Sequence, residues 1–166
     1  MRFQGLLYRC LNPIFAADPL SGEGARRYGG RFNAKGRPAL YTSLSIVTAI
    51  REANQAGSLQ PTVLVSYGAD LYPVFDATRT ENLTAHGMTA SQLAAEDWRD
   101  QMRQSSRSDS QRFAERLRED GFSGMIVPSY APGAGAQDLN LVLWVWQRPG
   151  AVITLVDDEG RLGPRP

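Results

Sequence analysis

Three observations place this sequence in the α+β class. β-prone runs fall at both ends of the chain, helical periodicity is grouped between residues 89 and 120, and strands do not alternate with helices as a doubly wound sheet requires. A chain of 166 residues suits one domain with a sizeable core, because domains of this size bury roughly 70% of the surface their unfolded chains expose. Residues 1–166 are therefore read as one domain, ending in a polar tail from about 157 to 166 that is expected to fray.

The elements follow in order. Gly5 to Leu11 is a first strand with Arg9 set among apolar neighbours; alternation sends Arg9 to one face and Tyr8 and Cys10 to the other, without deciding which is buried. Asn12-Pro13 ends it, and Asp18 to Gly24 is a loop by its turn residues. Pro38 to Ser43 reads as a short strand. Ser45 caps a helix whose apolar face is Ile46, Ala49, Ile50 and Ala53 and whose stop is Gly57. Pro61 to Tyr67 is a core strand, and Leu71 to Asp76, interrupted by Pro73, is an edge strand or extended connector. Leu93, Ala94, Trp98 and Met102 recur at helical spacing over Thr89 to Arg103; Trp98 could stack on a ligand base, but an aromatic on an apolar stripe is far more often core. Ser108 and Gln111 form a capping box opening a second helix that buries Phe113, Ala114 and Leu117 and stops at Gly121. Phe122 to Val127, Leu139 to Trp146 and Ala151 to Val156 complete the strands, and Ala131 to Ala136 is a flexible loop of small residues.

The stretch from Tyr28 to Glu52 holds the chemistry. Gly29 and Gly30 permit positive φ and close backbone approach, so that Arg31 can be aimed into a pocket. Arginine grips phosphate because its planar fork offers paired donors and keeps its charge. Tyr41 adds a phenol. Glu52 sits at the border of the helix stripe, where a carboxylate can reach a cleft; a lone glutamate there is usually solvated, and the neighbouring Arg31 and Tyr41 argue for the cleft. Arg26 and Arg27 could extend an anion-binding surface, although adjacent arginines in a loop are more often solvated.

Composition excludes several classes. The formal charge of +1 offers no general attraction for nucleic acid or membrane surfaces. Cys10 is the sole cysteine, which fits a reducing, cytoplasmic setting, and no apolar run approaches the ~20 residues of a membrane helix. His86 is the sole histidine, so neither a metal site nor a Ser-His-Asp or Cys-His centre finds its parts. A Gly-Lys-Ser/Thr phosphate loop and a dinucleotide-binding glycine fingerprint are also absent.

Five fragments in order carry a family resemblance: Tyr8-Arg9, Gly29-Gly30-Arg31-Phe32-Asn33, Leu40-Tyr41-Thr42-Ser43, Ala49-Ile50-Arg51-Glu52 and Val127-Pro128-Ser129. Together they resemble the RES domain, whose Arg, Glu and Ser are here Arg31, Glu52 and Ser129. The resemblance implies a fold like that of ADP-ribosyltransferases, mixed β-sheets with a few flanking helices. It also implies a growth-inhibiting toxin paired with an Xre-type antitoxin, and a chemistry that consumes NAD+ without a metal. On that reading Arg31, Tyr41 and Glu52 are catalytic, and Arg9, Arg31, Tyr41, Ser129 and Asn140 bind NAD+. The acceptor stays open between a host protein, the reading preferred here, and water or phosphate; a non-catalytic binding module is the third alternative. The partner, rather than this chain, would contact DNA.

Overall fold

The computed structural model describes residues 1–55, 58 and 60–162. In chain order the elements are β1 (Phe3–Leu11), α1 (Glu23–Tyr28), β2 (Leu40–Ser43), α2 (Ile46–Ala53), β3 (Val63–Leu71) and β4 (Val74–Asp76), then α3 (Thr80–Ala85), α4 (Ala90–Ala94), α5 (Trp98–Ser105) and α6 (Asp109–Glu119), and finally β5 (Gly124–Pro128), β6 (Leu139–Leu143), β7 (Gln147–Arg148) and β8 (Ala151–Leu155). The expected α+β order, strands then grouped helices then strands, is what the chain adopts.

Among the described residues the strands form one sheet of eight, in the order β4-β5-β6-β2-β1-β3-β8-β7. The β4–β5 pair is parallel and the others are antiparallel, so the sheet is mixed. It curls on itself. Met1, just ahead of β1, donates to Val74 O and accepts from Val74 N, both at 2.8 Å, although β1 and β4 stand four places apart in the order.

Curling gives the sheet two buried faces. Alternation along β5 and β6 sends Met125, Val127 and Val142 to one side, where they pack with Phe75, Leu83, Leu93, Phe113 and Leu117 from β4 and the helices. It sends Ile126, Leu141 and Leu143 to the other, against Leu7, Leu40, Val65, Tyr67 and Ile153 of the sheet itself. A strand covered on both faces needs a continuous apolar run, which is why Leu-Asn-Leu-Val-Leu stands out in β6.

The structure departs from the sequence expectation at seven places. β6 ends at Leu143; Trp144 and Trp146 leave the sheet to donate their indole N–H groups to Phe32 O and Leu20 O. α1 forms where a loop is expected, and α3 appears unannounced. The expected helix over Thr89 to Arg103 breaks at Ala95, whose ψ of 124° is extended backbone, and restarts at Trp98. The loop Ala131 to Ala136 is built from turns, with Ala134 N bonded to Ala131 O and Gly135 N to Asp138 Oδ2. The polar tail is held as far as Leu162 by Asp157, which accepts from Arg161 N and Leu162 N.

The seventh departure concerns α2, most of whose expected face turns outward: Ile46 and Ile50 are 44% and 43% exposed and Ala53 is exposed too, while Ala49 alone of that face is buried, beside Thr48. Polar anchors override the apolar stripe there. Ser45 caps the helix by accepting from Thr48 N, and Thr48 Oγ1 donates to Asp138 Oδ1 at 2.7 Å. The helix ends at Ala53 with Asn54 donating to Ile50 O; the expected stop at Gly57 lies outside the described residues.

Candidate functional site

Gly29 takes φ 72° at the end of α1, and a Cβ on Gly30 would overlap the Tyr41 hydroxyl and Asn33. The two glycines thus serve different needs, a left-handed backbone at one and close approach at the other. Asn33 ties the turn down through its amide, which donates to Ala25 O and Arg37 O. From α6, Gln111 donates to Gly30 O and Asn33 O, and Ser110 donates to Arg31 O. Arg31 therefore leaves a loop whose backbone groups are largely paired.

A cleft of about 290 Å³ lies between this turn, β2, β6 and α2. Its two walls carry opposite charge.

On the cationic wall, Arg31 Nη1 donates to Ala95 O at 2.7 Å and Leu93 O at 3.3 Å. The break between α4 and α5 leaves these carbonyls without helical donors, and Arg31 uses them. Its guanidinium lies 4.5 Å from the Tyr130 ring centroid and 5.8 Å from that of Trp98. Arg31 has no carboxylate partner among the described residues. Burial accordingly presses its pKa down, the Tyr130 ring opposing. Burial pushes the Tyr130 phenol up to about 12, so the ring under the cation stays neutral.

On the opposite wall, Glu52 Oε1 accepts from Ser129 Oγ and Asn140 Nδ2, both at 2.5 Å, and Oε2 accepts from Gln55. These donors come from the end of β5, from β6 and from just past α2. All three are neutral, so they orient the carboxylate and leave its charge facing the cleft. Asn140 is itself fixed by Ser43, which donates to its Oδ1 at 2.7 Å. Its one amide thereby links β2 to Glu52.

Tyr41 lines the cleft with its ring only. Its hydroxyl donates to Asn33 Oδ1 at 2.7 Å and accepts from Phe32 N at 3.0 Å, and burial drives its pKa upward, so the phenol is a neutral structural bridge. Arg9 lies on the face of Leu7 and Leu11 and donates from Nη1 to Pro19 O and Ser21 O. It borders an adjoining cavity of about 350 Å³ that shares Gly29 and Tyr41 with the main cleft. Arg26 and Arg27 turn instead to Glu23, at 2.6 and 3.0 Å.

The structure therefore brings Arg31, Tyr41, Glu52 and Asn140 to one cleft, with Ser129 bonded to Glu52 behind it and Arg9 one cavity away. Sequence reading missed Tyr130, Arg99 and Gln55 and preferred a core role for Trp98 over stacking on a ligand. Trp98 is 8% exposed, yet its ring also lines the cleft beneath Arg99, whose guanidinium stands 4.3 Å from the ring centroid. The signal for Tyr130 was its place beside Ser129. None marked Arg99 among the many surface arginines.

Fold and cleft together define a class: an α+β protein on a curled mixed sheet, with a guanidinium wall facing a hydrogen-bonded carboxylate. Comparison with known proteins narrows it. Residues 6–163 match the RES domain, and the chain belongs to that family. A 47-residue stretch is 40% identical to "Toxin Res" of Photorhabdus laumondii subsp. laumondii, a match spanning 28% of this chain and 30% of that curated relative. Among solved structures, a chain of the M. tuberculosis MbcT-MbcA toxin-antitoxin complex superposes with a TM-score of 0.69 at 24% identity, covering 95% of this chain and 84% of that one. At that identity the likeness establishes the shared fold.

Proposed function

We propose that this chain is the toxin of a toxin–antitoxin pair and that it consumes NAD+, breaking the bond between nicotinamide and ribose and passing ADP-ribose to an acceptor. The observation that carries this reading is the pairing of walls: a half-buried guanidinium with no carboxylate partner among the described residues, opposite a carboxylate held by neutral donors. NAD+ presents the complementary charges, an anionic pyrophosphate and a cationic nicotinamide ribose. Arg31 would take the phosphate oxygens, the rings of Tyr41, Tyr130 and Trp98 would line the planar groups, and Glu52 would face the ribose. The main and adjoining cavities, about 290 and 350 Å³, fall in the range of roughly 300–1,000 Å³ occupied by small-molecule sites.

The chemistry asked of the residues is electrostatic. As the C–N bond breaks, its electron pair leaves with the nicotinamide nitrogen and positive charge develops on the ribose ring. Glu52 stabilises that charge without moving, since Ser129 and Asn140 already fix its orientation. The acceptor then bonds to the anomeric carbon and gives up a proton.

A host protein side chain is the acceptor in the first reading. The second, phosphate or water, gains from two observations: the Ala131 to Ala136 loop, which a protein-presenting role would place at the cleft, does not line it, whereas a second arginine, Arg99, does. Purified protein incubated with NAD+, with and without phosphate and with cell lysate, separates them. Labelled protein supports the first, free ADP-ribose or its 1″-phosphate the second, and intact NAD+ with no product in any mixture contradicts both.

A toxin requires restraint in its host, and the relatives named above are described as a toxin and as a toxin-antitoxin complex. The partner proposed here is an Xre-type antitoxin that covers the Arg31–Glu52 cleft and carries the DNA-binding role. Co-expression should yield a complex whose NAD+ turnover is suppressed; a co-purified partner that leaves turnover intact argues against cleft occlusion.

A further inference from the structure

Arg99 is the least expected group in the cleft. It stands on the first turn of α5 and projects beside Trp98 to the mouth of the site. Acidic neighbours surround it in sequence, yet none pairs with it: Asp97 accepts from Gln101 and Asp100 holds Arg103 at 2.9 Å, while Glu96 makes no ion pair among the described residues. Arg99 likewise has no carboxylate within salt-bridge distance among the described residues. Its guanidinium rests on the Trp98 ring at 4.3 Å, and that of Arg31 approaches the same ring at 5.8 Å. The two like charges lie close enough that Arg99 adds to the depression of the Arg31 pKa.

Two cations gathered on one aromatic side chain, both lining a cleft and neither neutralised, repel each other until an anion joins them. Most arginines here avoid that state, with Arg2, Arg26, Arg27, Arg37, Arg51, Arg79, Arg103, Arg112, Arg118 and Arg161 all paired with carboxylates. Among the described residues the one carboxylate lining the cleft, Glu52, accepts from Ser129, Asn140 and Gln55.

We infer that Arg99 and Arg31, gathered at Trp98, form a two-arginine seat for a phosphoryl group, with Arg99 a binding residue for the reaction proposed above. The ligand chemistry is a phosphate oxyanion. It comes either from the pyrophosphate of the dinucleotide or from free inorganic phosphate serving as acceptor. The inference takes its setting from the proposed NAD+ chemistry, but the seat itself can be measured without turnover.

The test measures binding of NAD+, inorganic pyrophosphate and inorganic phosphate by calorimetry to wild type, Arg99→Ala and Arg99→Glu, with melting curves as the check on folding. An exposed arginine on a helix should be replaceable without unfolding. Loss of one charge-assisted contact should weaken the bound oxyanion by about tenfold or more, and charge reversal by more than that. Weaker NAD+ and pyrophosphate binding in the variants assigns the seat to the dinucleotide. Unchanged NAD+ binding with weakened phosphate binding, and a loss of phosphate-stimulated turnover, assigns it to the acceptor. Variants that match wild type toward all three ligands overturn the inference. If wild type turns over NAD+ and the variants still match it, the proposed function stands and the seat fails. If pyrophosphate binds through Arg99 but NAD+ is neither bound nor cleaved, the seat stands and the proposed function fails.

Discussion

Arg31 illustrates how much a residue's role depends on what its neighbours leave undone. Its Nη1 is anchored by two carbonyls freed at a helix break, while its charge finds no carboxylate among the described residues. Arg31→Lys keeps a charge but cannot reproduce the fork or the flat stack on Tyr130, so NAD+ turnover should fall by about a hundredfold or more while the melting temperature changes little. Turnover and melting curves on the same preparation check this, and an active lysine variant would contradict it. Tyr130 makes a separate prediction about pH. Its folded pKa, raised to about 12, lies above the unfolded value of about 10. The native state therefore retains a proton that the unfolded chain has lost, and stability present below the unfolded pKa declines as pH rises through that interval. Tyr130→Phe, which keeps the ring, should flatten the fall in melting temperature between about pH 10 and 12; an unchanged alkaline profile would assign the decline to other groups.

At the scale of elements, the site depends on α2 being fastened by its polar side. Asp138 is the fastener: it accepts from Thr48 Oγ1 and Gly135 N and lies 2.5 Å from Arg51 Nη1. Its carboxyl is held below the usual range by the Thr48 hydrogen bond first, then by the Gly135 N–H and Arg51. Since Asp138 O also accepts from Ser129 N at 2.7 Å, the same residue fixes the distance between Ser129 and Glu52. Asp138→Ala should thus lower turnover more than it lowers the melting temperature, with both measured at neutral pH. The latch should also loosen in acid, because a depressed folded pKa contributes stability present above the unfolded value and lost as pH falls through the folded one.

These fastenings explain what the sequence could and could not disclose. The capping box of Ser108 and Gln111 and the two glycines before Arg31 are local signals that formed as read, and the apolar run Leu139 to Trp146 is another, although its strand stops at Leu143. Most of the α2 face was misread because apolar periodicity assumes that apolar groups choose the buried side, whereas here Thr48 and Glu52 chose it through partners 77 to 90 residues away. The break at Ala95 was invisible for the same reason: nothing at Ala95 itself forbids helix, and the carbonyls it frees are used by Arg31, 62 and 64 residues earlier. Ser129 and Asn140 beside Glu52 came from the family resemblance; spacing alone had no means of pairing them.

Across the whole molecule, one buried face of the sheet supports the site. Phe113 of α6 is fully buried and meets Phe75 edge-on at 5.7 Å, in the cluster that includes Val127 and Val142 of the cleft wall. Phe113→Ala should cost about 3–5 kcal/mol, read as a lowered urea midpoint at unchanged slope. Near-wild-type stability would show that α6 is dispensable to this core. Among the described residues no helix is long and apolar enough to cross a membrane.

The central claim is that a carboxylate oriented by neutral donors cleaves the nicotinamide–ribose bond opposite a guanidinium wall. Its most direct test is the initial rate of nicotinamide release from NAD+ by the purified chain and by Glu52→Gln, an isosteric change that removes the charge. The account predicts release by wild type and a loss of about 10²–10³ in the variant, with melting temperature nearly unchanged. No release by the wild-type chain, or equal release by both, would contradict it.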